Sequence, residues 1–179
     1  MDVMLVGEAP GYRGCALTGI PFTDEIQLKL PENFYALGTW ERSVSIGNTS
    51  ERSASAVWAA LREYRIIPLM WNAFPFHPYQ EGKRASNRTP TQNELKEGLR
   101  YLDALISIFS IKDSQVFAVG KKAQEMLGLT SDCHYIRHPA YDIKQQFRPQ
   151  FDLKIGQQFG RWPGSTLCHT TGKLMRRSE

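Results

Sequence analysis

Four short apolar runs constrain this chain more than any other feature, because helical patterns fall between them and three of them end in unusual segments. They are Met4–Val6, stopped by Gly7; Leu69–Asn72, behind Pro68; Ser114–Gly120; and a fourth through Tyr135 and Ile136 that stops at His138-Pro139. Between the first two, Val57, Trp58, Leu61 and Tyr64 recur at helical spacing across 54–64, with Ser53 as a candidate N-cap. Between the second and third, Thr91-Gln92-Asn93-Glu94 reads as a capping box. It opens a helix with the stripe Leu95, Leu99, Leu102, Leu105, Ile106 and Phe109. A short helix over 121–129 follows the third run. Residues 26–50 show no assignable period. Strands alternating with helices predict an α/β fold, a three-layer α/β/α sandwich around a central, mainly parallel four-stranded sheet.

Ligands of such sheets bind outside the carboxyl ends of the strands. Gly7-Glu8-Ala9-Pro10-Gly11, Asn72-Ala73-Phe74-Pro75 and His138-Pro139 each stand at a strand end. A parallel sheet brings all three to one rim. Residues 1–150 are expected to form the domain. Residues 151–179 have little periodicity and end basic, which predicts a divergent or flexible C-terminal tail.

Composition narrows the function classes. The chain has 179 residues, enough for one domain with a sizeable core. No apolar run approaches the ~20 residues of a membrane helix, and no signal-like segment precedes the first strand. A cytoplasmic, monomeric protein with no membrane and no obligate protein partner is expected. Cys15, Cys133 and Cys168 form no CxxC pair, so neither a disulfide framework nor a zinc site is predicted. The net charge of +4 is scattered; it permits a nucleic-acid partner without requiring one. The first loop lacks G-x-G-x-x-G. A P-loop ending at Gly120-Lys121 would need Gly at Gln115 and Ser or Thr at Lys122. No Ser or Cys sits in a nucleophile elbow.

What remains is Glu8, Phe22, Asn72 and His138, in that order and at those element ends. "GEAPG…TGIPFT", "WNAFPFHP…NRTPT" and "RHPA" resemble the three motif regions of the uracil-DNA glycosylase superfamily, in order and spacing, from about Val3 to Gln150. The resemblance implies a monofunctional glycosylase that hydrolyses the N-glycosidic bond of uracil in DNA, the first step of base excision repair. It implies that Gly7, Ala9, Pro10 and Gly11 line the base and that Phe22 stacks on it. Asn72 would read its N3–H and O4, since one amide offers both a donor and an acceptor. His138 would donate to O2 as negative charge builds on the leaving base. Glu8 would orient water or favour the developing sugar cation, with Asp24 or Glu25 able to share that task. The best-known branch carries Asp where this chain has Ala9. It also carries a Tyr against the C5 methyl of thymine where this chain has Gly11.

The thermostable bacterial and archaeal GEAPG-type branch holds an iron–sulfur cluster through four cysteines. This chain has Phe74-Pro75-Phe76 where one of those would lie, and starts at strand one, before which two others would stand. No cofactor is therefore expected. Flipping the base costs a few kcal/mol. Candidate contacts that offset this are Arg137, Tyr141, Lys144 and Arg148 around the His-Pro segment, and Lys83, Arg84 and Arg88 in the loop after Asn72. In related enzymes the stretch matching Tyr141 to Lys144 enters the minor groove. A different class of reading is a weak or inactive superfamily member that binds nucleic acid or nucleotide. A small-molecule nucleotide binder is a third.

Overall fold

The computed structural model describes residues 2–30, 49–128, 134–141 and 143–160. Its strands β1 (Met4–Gly7), β2 (Leu69–Asn72), β3 (Val116–Val119) and β4 (Tyr135–Ile136) form one sheet in the order β2-β1-β3-β4. Every pairing is parallel. Helices α1 (Cys15–Thr18), α2 (Glu25–Lys29) and α3 (Arg52–Tyr64) lie between β1 and β2. Helix α4 (Gln92–Ile108) precedes β3, α5 (Lys121–Met126) follows it, and α6 (Phe147–Phe151) follows β4.

Strand β1 is buried on both faces, as a central parallel strand must be. Val3 and Leu5 pack with Val57, Trp58 and Leu61 of α3 and with Phe151 and Ile155. Met4 and Val6 turn the other way, toward Leu102 of α4, Ile111 and Val116. Period-two alternation in the strand and period-3.6 stripes in α3 and α4 thus meet as helix, sheet and helix. This is the expected α/β sandwich.

Local signals hold with three adjustments. The capping box forms as expected: Thr91 Oγ1 accepts from Glu94 N at 3.3 Å, and Glu94 Oε2 accepts from Thr91 N at 2.7 Å. At α3 the N-cap residue is Glu51 and no side chain caps the helix; Ser53 lies within it. The reason is that the Ser53 hydroxyl is turned to the Glu51 carboxyl. In α4 the stripe fades toward its end, where Ile108 and Phe109 are exposed.

The third adjustment concerns the predicted tail. Helix α6 runs on through a π-helical turn (Asp152–Gly156) into α7 (Gln157–Phe159). Phe151 and Ile155 have no solvent exposure, so residues 151–160 are part of the packed domain rather than a loose tail. Gly156 permits this, since a Cβ there would collide with the Tyr64 ring. Residues 161–179 lie outside the described residues. Among the described residues no helix is long and apolar enough to cross a membrane.

Candidate active site

The sheet's neighbours diverge at β1, with β2 on one side and β3 on the other. At such a point the loops part and leave a crevice. The register places Gly7 opposite Asn72 at the carboxyl ends of β1 and β2. Pairing continues one step beyond, with Ala73 N donating to Gly7 O at 2.9 Å and Phe74 N to Glu8 O at 3.1 Å. The two loops therefore leave the sheet tied together. Gly98 of α4 presses on the backbone of Ala73 and Phe74, where a Cβ would overlap it. Asn72 is thereby held from both sides.

The first loop is folded back by its own polar groups. Thr18 Oγ1 donates to Thr23 O at 2.8 Å, and Trp58 Nε1 donates to Thr23 Oγ1 at 3.0 Å. Between these anchors Phe22 adopts φ 53°, a left-handed conformation that bulky L residues avoid. Such strain persists where the surroundings over-determine it, at a cost of about 1–3 kcal/mol. Its effect here is to put the Phe22 ring against Gly7. A Cβ on Gly7 would lie 2.9 Å from Phe22 Cζ and 2.6 Å from Asn72 Oδ1. The aromatic face and the amide are therefore neighbours across a residue that can only be glycine. Asn72 is 4% exposed, and its Nδ2 donates to Cys15 Sγ at 3.5 Å. An amide nitrogen carries two hydrogens, so this bond leaves the second N–H and the carbonyl to be matched.

His138 reaches the same rim from the other side. Gly120 N donates to Ile136 O at 2.8 Å, extending the pairing of β3 and β4. Gly120 has φ 101°, and a Cβ there would approach His138 Cβ to 3.1 Å. The ring is thus seated on a glycine. Ala140 N donates to His138 Nδ1 at 3.3 Å, which makes Nδ1 the acceptor and puts the neutral ring's proton on Nε2. Burial, with a smaller push from the Arg137 charge, lowers the His138 pKa to about 4. The imidazole is neutral across the physiological range.

A cavity of about 350 Å³ brings these groups together. Gly7, Glu8, Ala9, Pro10, Gly11, Phe22, Asn72 and His138 all line it, and its size suits a small planar ligand. The three strand ends converge as parallel pairing requires. The family model of the uracil DNA glycosylase superfamily matches residues 1–163. The chain belongs to that superfamily. It carries a DNA glycosylase domain, of the hydrolase class that acts on DNA in repair. Searches of the curated proteins and of the solved structures found no match.

Within this glycosylase domain the carboxylates separate clearly. Glu8 lines the cavity and pairs with Lys122 Nζ at 3.4 Å; Lys122 also donates to Thr89 Oγ1 at 2.7 Å. Asp24 does not reach the cavity. It is fully buried, caps α2 by accepting from Gln27 N at 2.8 Å, and accepts from Glu51 N at 2.8 Å. Glu25 is in the first turn of α2 and does not line the cavity either. Of the three carboxylates considered from sequence, only Glu8 faces the site.

The basic residues also separate. Arg88 lines the cavity, but its guanidinium forks onto Glu94 with two contacts of 2.7 Å and its Nε donates to Tyr79 O. The Arg88 fork, with the Thr91 backbone bond next, holds the Glu94 carboxyl down to about 2. Arg88 thus ties the second loop to the cap of α4. Arg148 bonds Glu63 and Asp152 and lies over the Tyr64 ring, so it clamps α6 to α3. Arg137 lines a second cleft of about 260 Å³ with Lys121 and Lys122, which shares Glu8 and His138 with the first. Lys144 is exposed, as are Lys83 and Arg84. Ile143 is 94% exposed, in the stretch that follows His-Pro. The Tyr141 side chain lies outside the described residues.

Glu51, Asn87 and Lys122 are among the cavity residues that have no counterpart among the sequence candidates. Asn87 Oδ1 accepts from Tyr12 N at 3.0 Å and joins the two long loops. Lys122 could have been suspected from its place after Gly120 at a strand end. Among the described residues Cys15 is the one cysteine, and no group of three or more His, Cys, Asp or Glu could hold a metal. Phe74 stacks edge-on with Phe76.

Proposed function

We propose that this protein is a monofunctional uracil-DNA glycosylase that works without an iron–sulfur cluster. The observation that carries this reading is the shared cavity: a buried amide, a strained aromatic and a neutral imidazole all border one space. Uracil, turned out of the helix, stacks on Phe22. The Asn72 Oδ1 accepts from N3–H and the second Nδ2–H donates to O4. Cytosine presents the reversed pair and would leave both buried groups unmatched, which a hydrogen-bonding site rejects by up to about 10⁴-fold or more.

As the C1′–N1 bond breaks, its electron pair passes to the base and negative charge gathers on O2. His138 Nε2–H donates to O2. A neutral donor suits this role, because it stabilises the anion without having to be charged first. Water adds to C1′, with Glu8 orienting it or countering the positive sugar. One water proton ends on the released uracil and the product is an abasic deoxyribose. The exposed Ile143 would act as a wedge that fills the space left by the base. Lys144, Arg137 and the Lys121-Lys122 pair supply charge for the phosphates.

The test is release of uracil from a uracil-containing oligonucleotide, read as alkali-cleavable abasic sites. Binding should weaken with rising salt, since each phosphate contact releases counterions. No release and no binding would overturn the reading. A second reading, a nucleic-acid binder that has lost catalysis, is favoured by Ala9, which lacks a carboxylate, and by the tie between Glu8 and Lys122. Binding without release would select it.

A further inference from the structure

The mechanism leaves the Glu51 carboxyl on the cavity wall unused. Glu51 arrives there from the start of α3, far in sequence from the motifs. Its N–H is held by Asp24 Oδ2 at 2.8 Å, which aims the side chain back over the first loop. Its Oε1 lies 3.2 Å from where a Cβ of Gly11 would stand, and its Oε2 would overlap a Cβ of Gly14. Two glycines thus open the space that this carboxyl fills. Ser53 hydrogen-bonds the carboxyl, and Asp24 and the Cys15 thiol are the ionisable groups facing it. Burial raises the Glu51 pKa, the Ser53 bond offsets part of this, and the Asp24 charge adds to the rise.

Order along the wall gives the group its meaning. Asn72 Nδ2 contacts Cys15 Sγ, and the Glu51 carboxyl lies against Gly11 and Gly14, the residue that precedes Cys15. Going outward from the amide that takes N3 and O4, the next edge of a pyrimidine is C5. Gly11 itself offers nothing to that edge.

We propose that Glu51 is a specificity-determining residue, whose carboxyl closes the pocket at the C5 edge of the base and disfavours a methyl group there. This rests on the reading of the cavity as a uracil pocket. A C5–H leaves the carboxyl its Ser53 bond and its remaining hydration. A methyl would cover that polar group and return no hydrogen bond. Discrimination by a single methyl commonly spans about 10- to 200-fold.

The experiment compares uracil and thymine, each opposite guanine in the same duplex, under single-turnover conditions. In Glu51→Ala the preference for uracil over thymine should fall at least about tenfold, chiefly through faster thymine release. Glu51→Gln keeps size and polarity and should retain most of the preference. Equal preference in wild type and Glu51→Ala, or equal loss on both bases, overturns the proposal. Titration of free uracil and thymine onto wild type and Glu51→Ala separates the two claims. If wild type releases no uracil, the glycosylase reading fails; a base-binding preference that Glu51→Ala erases would still uphold the role of Glu51, and its absence would overturn that too.

Discussion

The two sides of the cavity are built differently. On the β1–β2 side, Asn72 is paired in the sheet, backed by α4 through Gly98 and almost wholly buried. On the β3–β4 side, His138 follows a strand of two residues and rests on a glycine, with an exposed isoleucine five residues on. One side is a template set within the sheet; the other is an arm that leaves a short strand and is tied down by side chains, Gln150 Oε1 accepting from Arg137 N and Lys154 Nζ donating to Tyr135 O. On the proposed reading the contrast is a division of labour: the template reads the base and the arm meets the DNA.

The sharpest break of this contrast is at the template. Asn72→Ala should lower uracil release by about 10³-fold or more, since both recognition bonds vanish. Single-turnover rates measure it, and loss below tenfold would remove Asn72 as the reader. Next, His138→Ala should cost about 10²- to 10³-fold in the chemical rate with little change in DNA binding. Because the His138 pKa is near 4, wild-type release should not fall between pH 8 and pH 6 through protonation of this ring. The sign for stability follows from the same shift. The folded pKa lies below the ordinary 6.5, so the stability this group contributes is complete above pH 6.5 and is lost as pH falls toward about 4. Urea midpoints at several pH values, compared with His138→Ala, check that window.

Gly120→Ala is milder and tests the seat of the arm. Its positive φ and the His138 contact predict a loss of about 1–3 kcal/mol in stability and a slower chemical step. A variant with normal stability and rate would show that the arm does not depend on its seat. The smallest effect is expected at Ile143→Ala, a few-fold slower release from duplex and none from single strands, where no gap needs filling. Equal rates on both substrates would leave Ile143 without that role.

Much of this was legible before any coordinates, and the reason is locality. The capping box, the α3 stripe and the strand ends are signals spanning a few residues. The motif residues were readable because parallel pairing brings strand ends to one edge whatever lies between. Glu51 was not readable: it follows a stretch without period and reaches the site through a bond to Asp24, 27 residues away. The helix beyond 150 was hidden for another reason. Phe151, Ile155 and Phe159 have helical spacing, but Pro149 and Gly156 look like breakers. Pro149 falls in the first turn of α6, where its missing N–H costs nothing, and Gly156 makes room for Tyr64. Arg88 and Arg148 read as candidate DNA contacts because their carboxylate partners are fixed only by the fold.

The buried Cys15 has a consequence for what the pocket can tolerate. On the proposed reading, glycosidic cleavage would generate a ring-opening sugar whose free aldehyde is an electrophile, in the cavity that Cys15 lines. A thiolate there would add to that carbonyl as a hemithioacetal, a reversible adduct that would delay departure of the product. Burial first, and the Glu51 charge second, push the Cys15 pKa up to about 12. The thiolate fraction at neutral pH is then on the order of one in 10⁵. The sulfur next to Asn72 is thus held as the thiol, the form least able to add to such a product.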